Sequence, residues 1–258
     1  MVLILYNSMR FVFRRLSMFR ALVTVLFVFA FMIMSLVLLP VMWVVSKINP
    51  SLAEKQNFAI VMWGFRVIRA VSGSKMHVSG QENIPEGQSV IFAGNHQSYF
   101  DIILGYPYLP VPTAMLAKIE LKKFPIVSNW MKRIHCIFID RKDPRQAIKA
   151  ISEASEDIKN NKTSVMIFPE GTRSKDGEVH EFKTGSLKVA TKANCPIIPV
   201  AFRYSDSVWE KHYKKLVPQD VYITFLPPVI PGELDKEEKK HIGDVVREKI
   251  VSYLKSTN

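Results

Sequence analysis

The feature that most constrains this chain is a stretch of 25 residues without a single charge, residues 21–45. A helix rises about 1.5 Å per residue, so this stretch is longer than the roughly 30 Å hydrocarbon core of a bilayer. A cleaved signal peptide is the alternative, but its apolar region usually covers only about 7–15 residues, and no small-x-small cleavage site follows here. The stretch therefore predicts a retained membrane anchor.

A second apolar stretch, residues 58–71, bears on the topology of that anchor. Its Arg66 and Arg69 lie three residues apart and share one helical face, which is typical of a helix that lies in the membrane interface or returns partway. The arginines before the first stretch place the N-terminus in the cytoplasm by the positive-inside rule; they are Arg10, Arg14, Arg15 and Arg20. We therefore predict a hairpin that bends at Pro40 and at the break over residues 49–51, with a single span as the alternative.

Charge and cysteine content narrow the class of protein. The net charge of +12, from 35 Lys+Arg and 23 Asp+Glu, favours anionic lipids, phosphorylated substrates or nucleic acid as partners. Nucleic acid is not favoured, because the sequence has no zinc-finger spacing, RNP-like aromatic pattern or long basic run. The two cysteines, Cys136 and Cys195, each lie in an apolar stretch. This predicts buried, reduced thiols rather than a disulfide or metal framework.

From about residue 73 the composition is that of a globular domain. Short apolar runs rich in β-formers predict strands at residues 89–93, 135–139, 164–168, 197–202 and 221–226. They are mostly continuous rather than alternating, as in strands that are covered on both faces. Helical patterns alternate with these runs, so we predict an α/β domain over residues 73–258 with a largely parallel sheet flanked by helices. Membrane-anchoring helices over residues 1–72 precede it.

Two helices of this domain have clear start signals. Asp143 followed by Pro144 is an N-cap with proline at the first helical position. Near the C-terminus, Asp235 is followed by acidic residues and then by a predicted helix with one apolar face; the residues of that face are Ile242, Val246, Ile250 and Tyr253.

The first motif with chemical potential is Asn-His-Gln-Ser-Tyr-Phe-Asp at residues 95–101, directly after a predicted strand. An offset of five residues separates side chains by about 140° on an ideal helix, so His96 and Asp101 cannot meet within one. They can approach if His96 lies in the turn and Asp101 begins the helix. The carboxylate would then fix the imidazole tautomer and leave the other nitrogen free to take a proton. A capping histidine and a capping aspartate are the alternative.

The second motif is Pro-Glu-Gly-Thr-Arg-Ser at residues 169–174, directly after the run at 164–168. Loops at the carboxyl ends of strands are where ligands bind in α/β sheets. Gly171 lets the backbone approach a ligand closely, and the guanidinium of Arg173 is suited to phosphate. A plain turn with a surface arginine is the alternative for this motif in isolation.

Together the two motifs resemble the glycerolipid acyltransferase family, which combines His-x4-Asp after one strand with Phe-Pro-Glu-Gly-Thr-Arg-Ser after another. Further stretches fit the family's remaining blocks: residues 118–121, 124–125, 139–141, 182–185 and 195–200. The resemblance spans roughly residues 75–230. Ser128 is a departure, because many members have glycine there.

The resemblance implies acyl transfer from acyl-CoA or acyl-carrier protein to the sn-2 hydroxyl of 1-acylglycerol 3-phosphate (lysophosphatidate), on the cytoplasmic face of the cell membrane. It implies that His96 deprotonates the acceptor hydroxyl and that Asp101 orients His96. The residues that it implies for binding the glycerol-phosphate part are Glu170, Gly171, Thr172, Arg173, Arg141 and Lys118. It implies neither a metal nor a cofactor, and the sequence offers no ligand cluster for a metal.

Other functions stay open at this point. Within the class, the acceptor can be glycerol 3-phosphate or another lysophospholipid. A serine hydrolase needs a Gly-x-Ser-x-Gly elbow, and the sequence has none. A non-catalytic lipid-binding membrane protein is the alternative from another class, and it leaves the pairing of His96 with Asp101 unexplained.

Overall fold

Two long helices at the N-terminus fold back on each other in the computed structural model, which describes residues 2–110, 112–140, 142–212 and 215–257. Its side chains are described from residue 13 onward, apart from that of Pro144. Helix α1 is Val2–Ile48 and helix α2 is Pro50–Ser72. Asn49 separates them, and its side chain accepts a hydrogen bond from the backbone N–H of Leu52. The predicted hairpin of helices is therefore present.

Of the two predicted positions for the bend, only the one over residues 49–51 separates the helices, because α1 is continuous through Pro40. A proline removes one helical hydrogen bond, but contacts with the rest of the chain hold α1 on both sides of it. Trp130 donates its indole N–H to Ser35 Oγ at 2.8 Å, and Arg133 donates to the carbonyl oxygen of Leu39 at 3.1 Å. Met42 is buried beyond the proline.

Helix α1 lies along the α/β domain rather than extending away from it. The backbone N–H of Leu216 donates to the carbonyl oxygen of Ser17 at 3.1 Å, which adds a contact near the start of α1 to those at Ser35 and Leu39. These contacts are spread over about 33 Å of helix. The opposite side of α1 is apolar and exposed. By length and composition, α1 is the one helix within the described residues that can cross a membrane.

The rest of the chain forms a seven-stranded sheet with the order β1-β7-β6-β2-β5-β3-β4. Every pair of neighbouring strands is parallel except β6 with β7, so the predicted α/β class with a largely parallel sheet is confirmed. The strands are β1 Lys75–Ser79, β2 Ile91–Gly94, β3 Thr113–Lys118, β4 Ile137–Ile139, β5 Ser164–Ile167, β6 Ile197–Arg203 and β7 Asp220–Phe225.

Helices cover both faces of this sheet. They are α3 Phe100–Gly105, α4 Pro125–Arg133, α5 Pro144–Lys159, α6 Thr184–Ala193, α7 Lys236–Lys240 and α8 Ile242–Ser256. Helices α5, α6 and α8 pack on one face, and α2, α3 and α4 pack on the other with part of α1. A smaller cluster joins the N-terminal hairpin to α3 and to the segment between β6 and β7; its buried members are Ala21, Ile68, Phe100, Leu104, Val208, Leu216 and Val221.

The predicted helix starts are confirmed, but one predicted helix is two. Asp143 accepts hydrogen bonds from the first turn of α5, and Asp235 forms a capping box with Glu238. The helix that begins there ends before His241, and α8 starts after it. Gly243 lies so close to the chain that a Cβ there would come within 2.6 Å of the carbonyl oxygen of Phe182. On the apolar face of α8, Ile242, Val246 and Ile250 are completely buried and Tyr253 is partly buried.

Both cysteines are free and buried, as predicted. Burial raises the pKa of the Cys136 thiol to about 12, and burial likewise raises the pKa of the Cys195 thiol to about 12. Burial therefore disfavours the thiolate form of both sulfurs, and neither cysteine is a candidate nucleophile.

Candidate active site

His96 and Asp101 meet at the carboxyl end of β2. The strand ends at Gly94, His96 lies in the following loop, and Asp101 is in the first turn of α3. The imidazole Nδ1 of His96 lies 2.7 Å from Oδ2 of Asp101. The Asp101 side chain is fully buried, whereas 15% of the His96 side chain is exposed. The chain therefore adopts the predicted arrangement, in which His96 lies in the turn and Asp101 lies at the start of the helix.

Asp101 is fixed by further hydrogen bonds. Its Oδ2 accepts the backbone N–H groups of Gln97 at 2.7 Å and Ser98 at 2.8 Å, and its Oδ1 accepts the hydroxyl of Ser205. A carboxylate surrounded by donors acts as an acceptor, so Nδ1 of His96 carries the proton that it shares with Asp101. The neutral imidazole therefore has its lone pair on Nε2. This is the tautomer that a general base requires.

A stacking contact also fixes the orientation of the His96 ring. The ring stacks on Phe168, with ring centroids 4.2 Å apart and planes at 23°. Nε2 has no hydrogen-bond partner within the described residues, and the exposed fraction of the side chain lies at the carboxyl edge of the sheet. The ring is thus oriented by Asp101 and Phe168, and its basic nitrogen is available to a substrate.

Glu170 links two loops at this edge. Its Oε1 accepts the backbone N–H of His96 at 2.7 Å, and its Oε2 accepts that of His180 at 3.1 Å. The side chain is buried. Burial raises the pKa of Glu170, and the N–H groups of His96 and His180 partly offset this rise. With both oxygens used by backbone donors, the geometry favours a role in positioning His96 over the direct contact with the acceptor that the resemblance implies.

The turn after β5 has a left-handed backbone conformation at Gly171, as the glycine in the motif predicts. Gly171 has φ of 77°, a left-handed conformation that costs glycine little, and its N–H donates to the carbonyl oxygen of Phe168 at 3.0 Å. Thr172 is exposed at the tip of the turn. The backbone N–H of Ser174 donates to the carbonyl oxygen of His96 at 2.8 Å, so this turn and the His96 loop are directly bonded.

Arg173 lies beside the His96 loop. Its guanidinium carbon is 3.7 Å from the centroid of the Tyr99 ring, and Nη1 donates to Glu210 Oε1 at 3.0 Å. About a third of the Arg173 side chain is exposed, 34%. The guanidinium is therefore held in one orientation while part of it remains open to an anion.

Of the two remaining predicted cations, Lys118 lies on a strand next to the site. Lys118 ends β3 and is exposed at the same edge as His96, because β2, β5 and β3 run parallel. Arg141 lies outside the described residues. Ser128, the departure from the family pattern, is buried in α4, and its hydroxyl donates to the carbonyl oxygen of Pro125 at 3.2 Å.

Three residues of the site were not predicted as such from the sequence. Phe168 was predicted as the last residue of a strand and as the first residue of the Phe-Pro-Glu-Gly-Thr-Arg-Ser motif, without a role of its own. Ser205 and Glu210 lie in the segment between β6 and β7, which has no periodicity and no turn motif. They contact the His96 loop across more than 100 residues of sequence, so no local pattern signals them.

A family model described as Acyltransferase matches residues 75–203, which is half of the chain. The chain therefore belongs to this family and is an acyltransferase.

Similar proteins carry a more specific description. The chain is 32% identical to the 1-acyl-sn-glycerol-3-phosphate acyltransferase of Borreliella burgdorferi over 72% of its own length and 74% of the relative. It is 28% identical to the human 1-acyl-sn-glycerol-3-phosphate acyltransferase alpha over 76% of its length and 70% of that protein. The crystal structure of the 1-acyl-sn-glycerophosphate (LPA) acyltransferase PlsC from Thermotoga maritima has a similar fold, with a TM-score of 0.75 at 25% identity over 93% of this chain and 97% of that one.

Proposed function

We propose that this protein transfers a fatty acyl group from an acyl thioester to the sn-2 hydroxyl of 1-acylglycerol 3-phosphate, forming phosphatidate. The observation that carries the proposal is the His96–Asp101 pair, with Nε2 open at the sheet edge and Arg173 on the adjoining turn. The similarity to proteins named for this acceptor supports the choice of substrate. Acyl-CoA and acyl-carrier protein are the two candidate donors.

The chemistry begins at Nε2 of His96. This nitrogen takes the proton of the sn-2 hydroxyl while the hydroxyl oxygen forms a bond to the thioester carbonyl carbon. Asp101 stabilises the imidazolium that results. The tetrahedral intermediate then collapses with cleavage of the carbon–sulfur bond, and the imidazolium returns its proton to the departing sulfur. The products are phosphatidate and the free thiol of the carrier, and no acyl-enzyme forms.

The acceptor's phosphate is assigned to the cations at the same edge. A guanidinium has five N–H donors, and Glu210 uses a single nitrogen of Arg173, so the remaining donors can form a bidentate contact with phosphate. Lys118 adds a positive charge at the end of β3. Arg141 is proposed for the same role from its place in the sequence. Gly171 and Thr172 would form the wall of the site between these cations.

Residues 1–72 are proposed to anchor the protein, with the catalytic domain of residues 73–258 on the cytoplasmic face of the membrane. The support is the exposed apolar side of α1, which includes Leu26, Phe29 and Ile33. Because the other side of α1 lies along the domain, burial of this surface in lipid brings the domain to the bilayer. A lysolipid acceptor is then found by diffusion within the membrane plane.

The direct test is acylation by the purified full chain in detergent micelles. The acceptors are lysophosphatidate, glycerol 3-phosphate and lysophosphatidylcholine, each with labelled acyl-CoA and with labelled acyl-carrier protein. We expect labelled phosphatidate from lysophosphatidate and little product from the other two. Acylation of glycerol 3-phosphate alone would contradict the proposed acceptor, and no acylation with any pair would contradict the proposed reaction.

A further inference from the structure

Glu210 lies outside the matched family region and contacts both motifs of the site. It lies between β6 and β7, seven residues beyond the end of the matched stretch at residue 203. Its Oε2 accepts the hydroxyl of Ser98 at 2.6 Å, and its Oε1 accepts the backbone N–H of Tyr99 at 2.9 Å and Nη1 of Arg173 at 3.0 Å. One carboxylate therefore binds both motifs of the site.

The segment that carries Glu210 is itself held in place. Ser205 donates to Asp101, and Asp206 forms an ion pair with Lys211 at 2.8 Å. Val208 is completely buried in the cluster that joins the hairpin to α3. A carboxylate on a fixed support can orient its partners at little entropic cost, because it has few conformations to lose.

The contacts of Glu210 reach both halves of the proposed chemistry. Ser98 and Tyr99 form the turn before α3, and the Ser98 hydroxyl also accepts the backbone N–H of Phe100 at 2.8 Å. This turn sets the position of Asp101 and hence of His96. On the other side, Glu210 and the Tyr99 ring together fix the plane of the Arg173 guanidinium.

We propose that Glu210 is a positioning residue that aims Arg173 at the acceptor's phosphate and locks the turn before α3. The inference rests on the proposed function and adds to it the residue that sets the direction of the phosphate contact. Two effects of Glu210 oppose each other. Its negative charge disfavours phosphate binding nearby, whereas its hydrogen bond fixes the orientation of the Arg173 guanidinium toward the phosphate. The orienting effect is the larger of the two.

Replacement by alanine and by glutamine separates these effects. Glu210→Ala removes the hydrogen bonds together with the charge, and we expect the KM for lysophosphatidate to rise about tenfold, the contribution of one charge-assisted hydrogen bond. The KM for the acyl donor should stay within about twofold. Glu210→Gln keeps a carbonyl oxygen for Tyr99 and Arg173 without the charge, so it should restore most of the acceptor KM. Glu248→Ala, an exposed glutamate on α8, is the matched control.

A double-mutant cycle identifies the partner through which Glu210 acts. If Glu210 acts through Arg173, then Glu210→Ala should add little to the rise in acceptor KM that Arg173→Ala already causes. Additive effects of the two substitutions on the acceptor KM, or a fall in kcat alone with an unchanged acceptor KM, would overturn the proposal.

A chemical readout keeps the test independent of the proposed reaction. Phenylglyoxal reacts with accessible guanidinium groups, and mass spectrometry of the full chain reports its rate at Arg173. We expect labelling of Arg173 several-fold faster in Glu210→Ala than in the wild type, with Glu210→Gln close to the wild type. If the wild type fails to acylate lysophosphatidate, the proposed function fails while this readout still reports on the contact. Equal labelling in all three proteins would overturn the proposal.

Discussion

At the carboxyl edge of the sheet, individual side-chain atoms have specific hydrogen-bond partners, whereas the outward side of α1 exposes many similar apolar side chains. Asp101 accepts four hydrogen bonds, each from a different group. Helix α1 instead exposes a row of large apolar side chains such as Leu26, Phe29 and Ile33, with 54–63% of each accessible. The proposed catalysis at the edge depends on geometry, and the proposed attachment through α1 depends on summed apolar area. Substitutions should therefore have different consequences in the two regions.

The largest effect should come from Asp101→Asn. All groups hydrogen-bonded to the Asp101 side chain donate to it, and the amide N–H of an asparagine cannot accept these hydrogen bonds. The amide also favours the His96 tautomer with the proton on Nε2, which cannot act as a base. We expect turnover to fall by about 10³- to 10⁴-fold, as for the aspartate of a catalytic triad. Membrane attachment should be unchanged, as measured by flotation with vesicles. Loss of attachment together with activity would show that the two regions are not separable.

The matching change on α1 needs several residues at once. We expect Leu26→Glu, Phe29→Glu and Ile33→Glu together to lower the membrane-bound fraction by about 10²-fold or more, because a charged side chain in the hydrocarbon region costs roughly 2.5–3.5 kcal/mol. Ile148 on α5 is the control, since it is as exposed (59%) on the other side of the sheet. Ile148→Glu should leave the bound fraction unchanged. If the triple change on α1 and Ile148→Glu lowered the co-sedimenting fraction equally, the exposed side of α1 would not be the membrane-binding surface.

Arg173→Ala should have a smaller effect with a distinctive pattern. Loss of its contacts with phosphate should raise the KM for lysophosphatidate by about tenfold or more, with a much smaller change in the KM for the acyl donor. Steady-state kinetics in mixed micelles measures both constants. An equal rise in the KM for lysophosphatidate and the KM for the acyl donor would mean that Arg173 has a structural role or binds the donor.

The smallest effect should come from Ser205→Ala. This change removes the hydroxyl that donates to Asp101 but leaves the two backbone donors and His96 in place. Loss of one of four hydrogen bonds should lower kcat by about three- to tenfold, with little change in either KM. A Ser205→Ala protein as impaired as Asp101→Asn would mean that the backbone donors do not fix the carboxylate on their own.

How much of this could be predicted from the sequence differs between the same two regions. His96 and Asp101 were predictable because five residues of a turn and a helix start bring them together locally. Ser205 and Glu210 were not, because their contacts depend on the path of the chain between β6 and β7. On the hairpin, the apolar stretch predicted α1, but the contacts of α1 with α4 near Pro40 depend on residues that are distant in sequence.

Two strands show a similar limit. Strand β1 lies at the edge of the sheet. Three of its five residues are polar and exposed and the other two are only partly buried, so no apolar run marks it. Strand β3 is buried at its start but ends with Lys118 at the site. Pro110 and Pro112 directly precede this strand, and such a proline pair is typical of a loop rather than of a strand. Burial in these strands is set by neighbours that are distant in sequence, and single-sequence patterns do not report on them.

The measurement that tests the central claim most directly is turnover of His96→Ala with lysophosphatidate and acyl donor at saturating concentrations. Removal of the imidazole removes the base on which the proposed reaction depends, so we expect kcat to fall by about two to four orders of magnitude. Vesicle binding and the thermal unfolding midpoint serve as controls and should stay close to those of the wild type. Near-full activity of His96→Ala, in a protein that is folded and membrane-bound, would contradict the assignment of His96 as the general base.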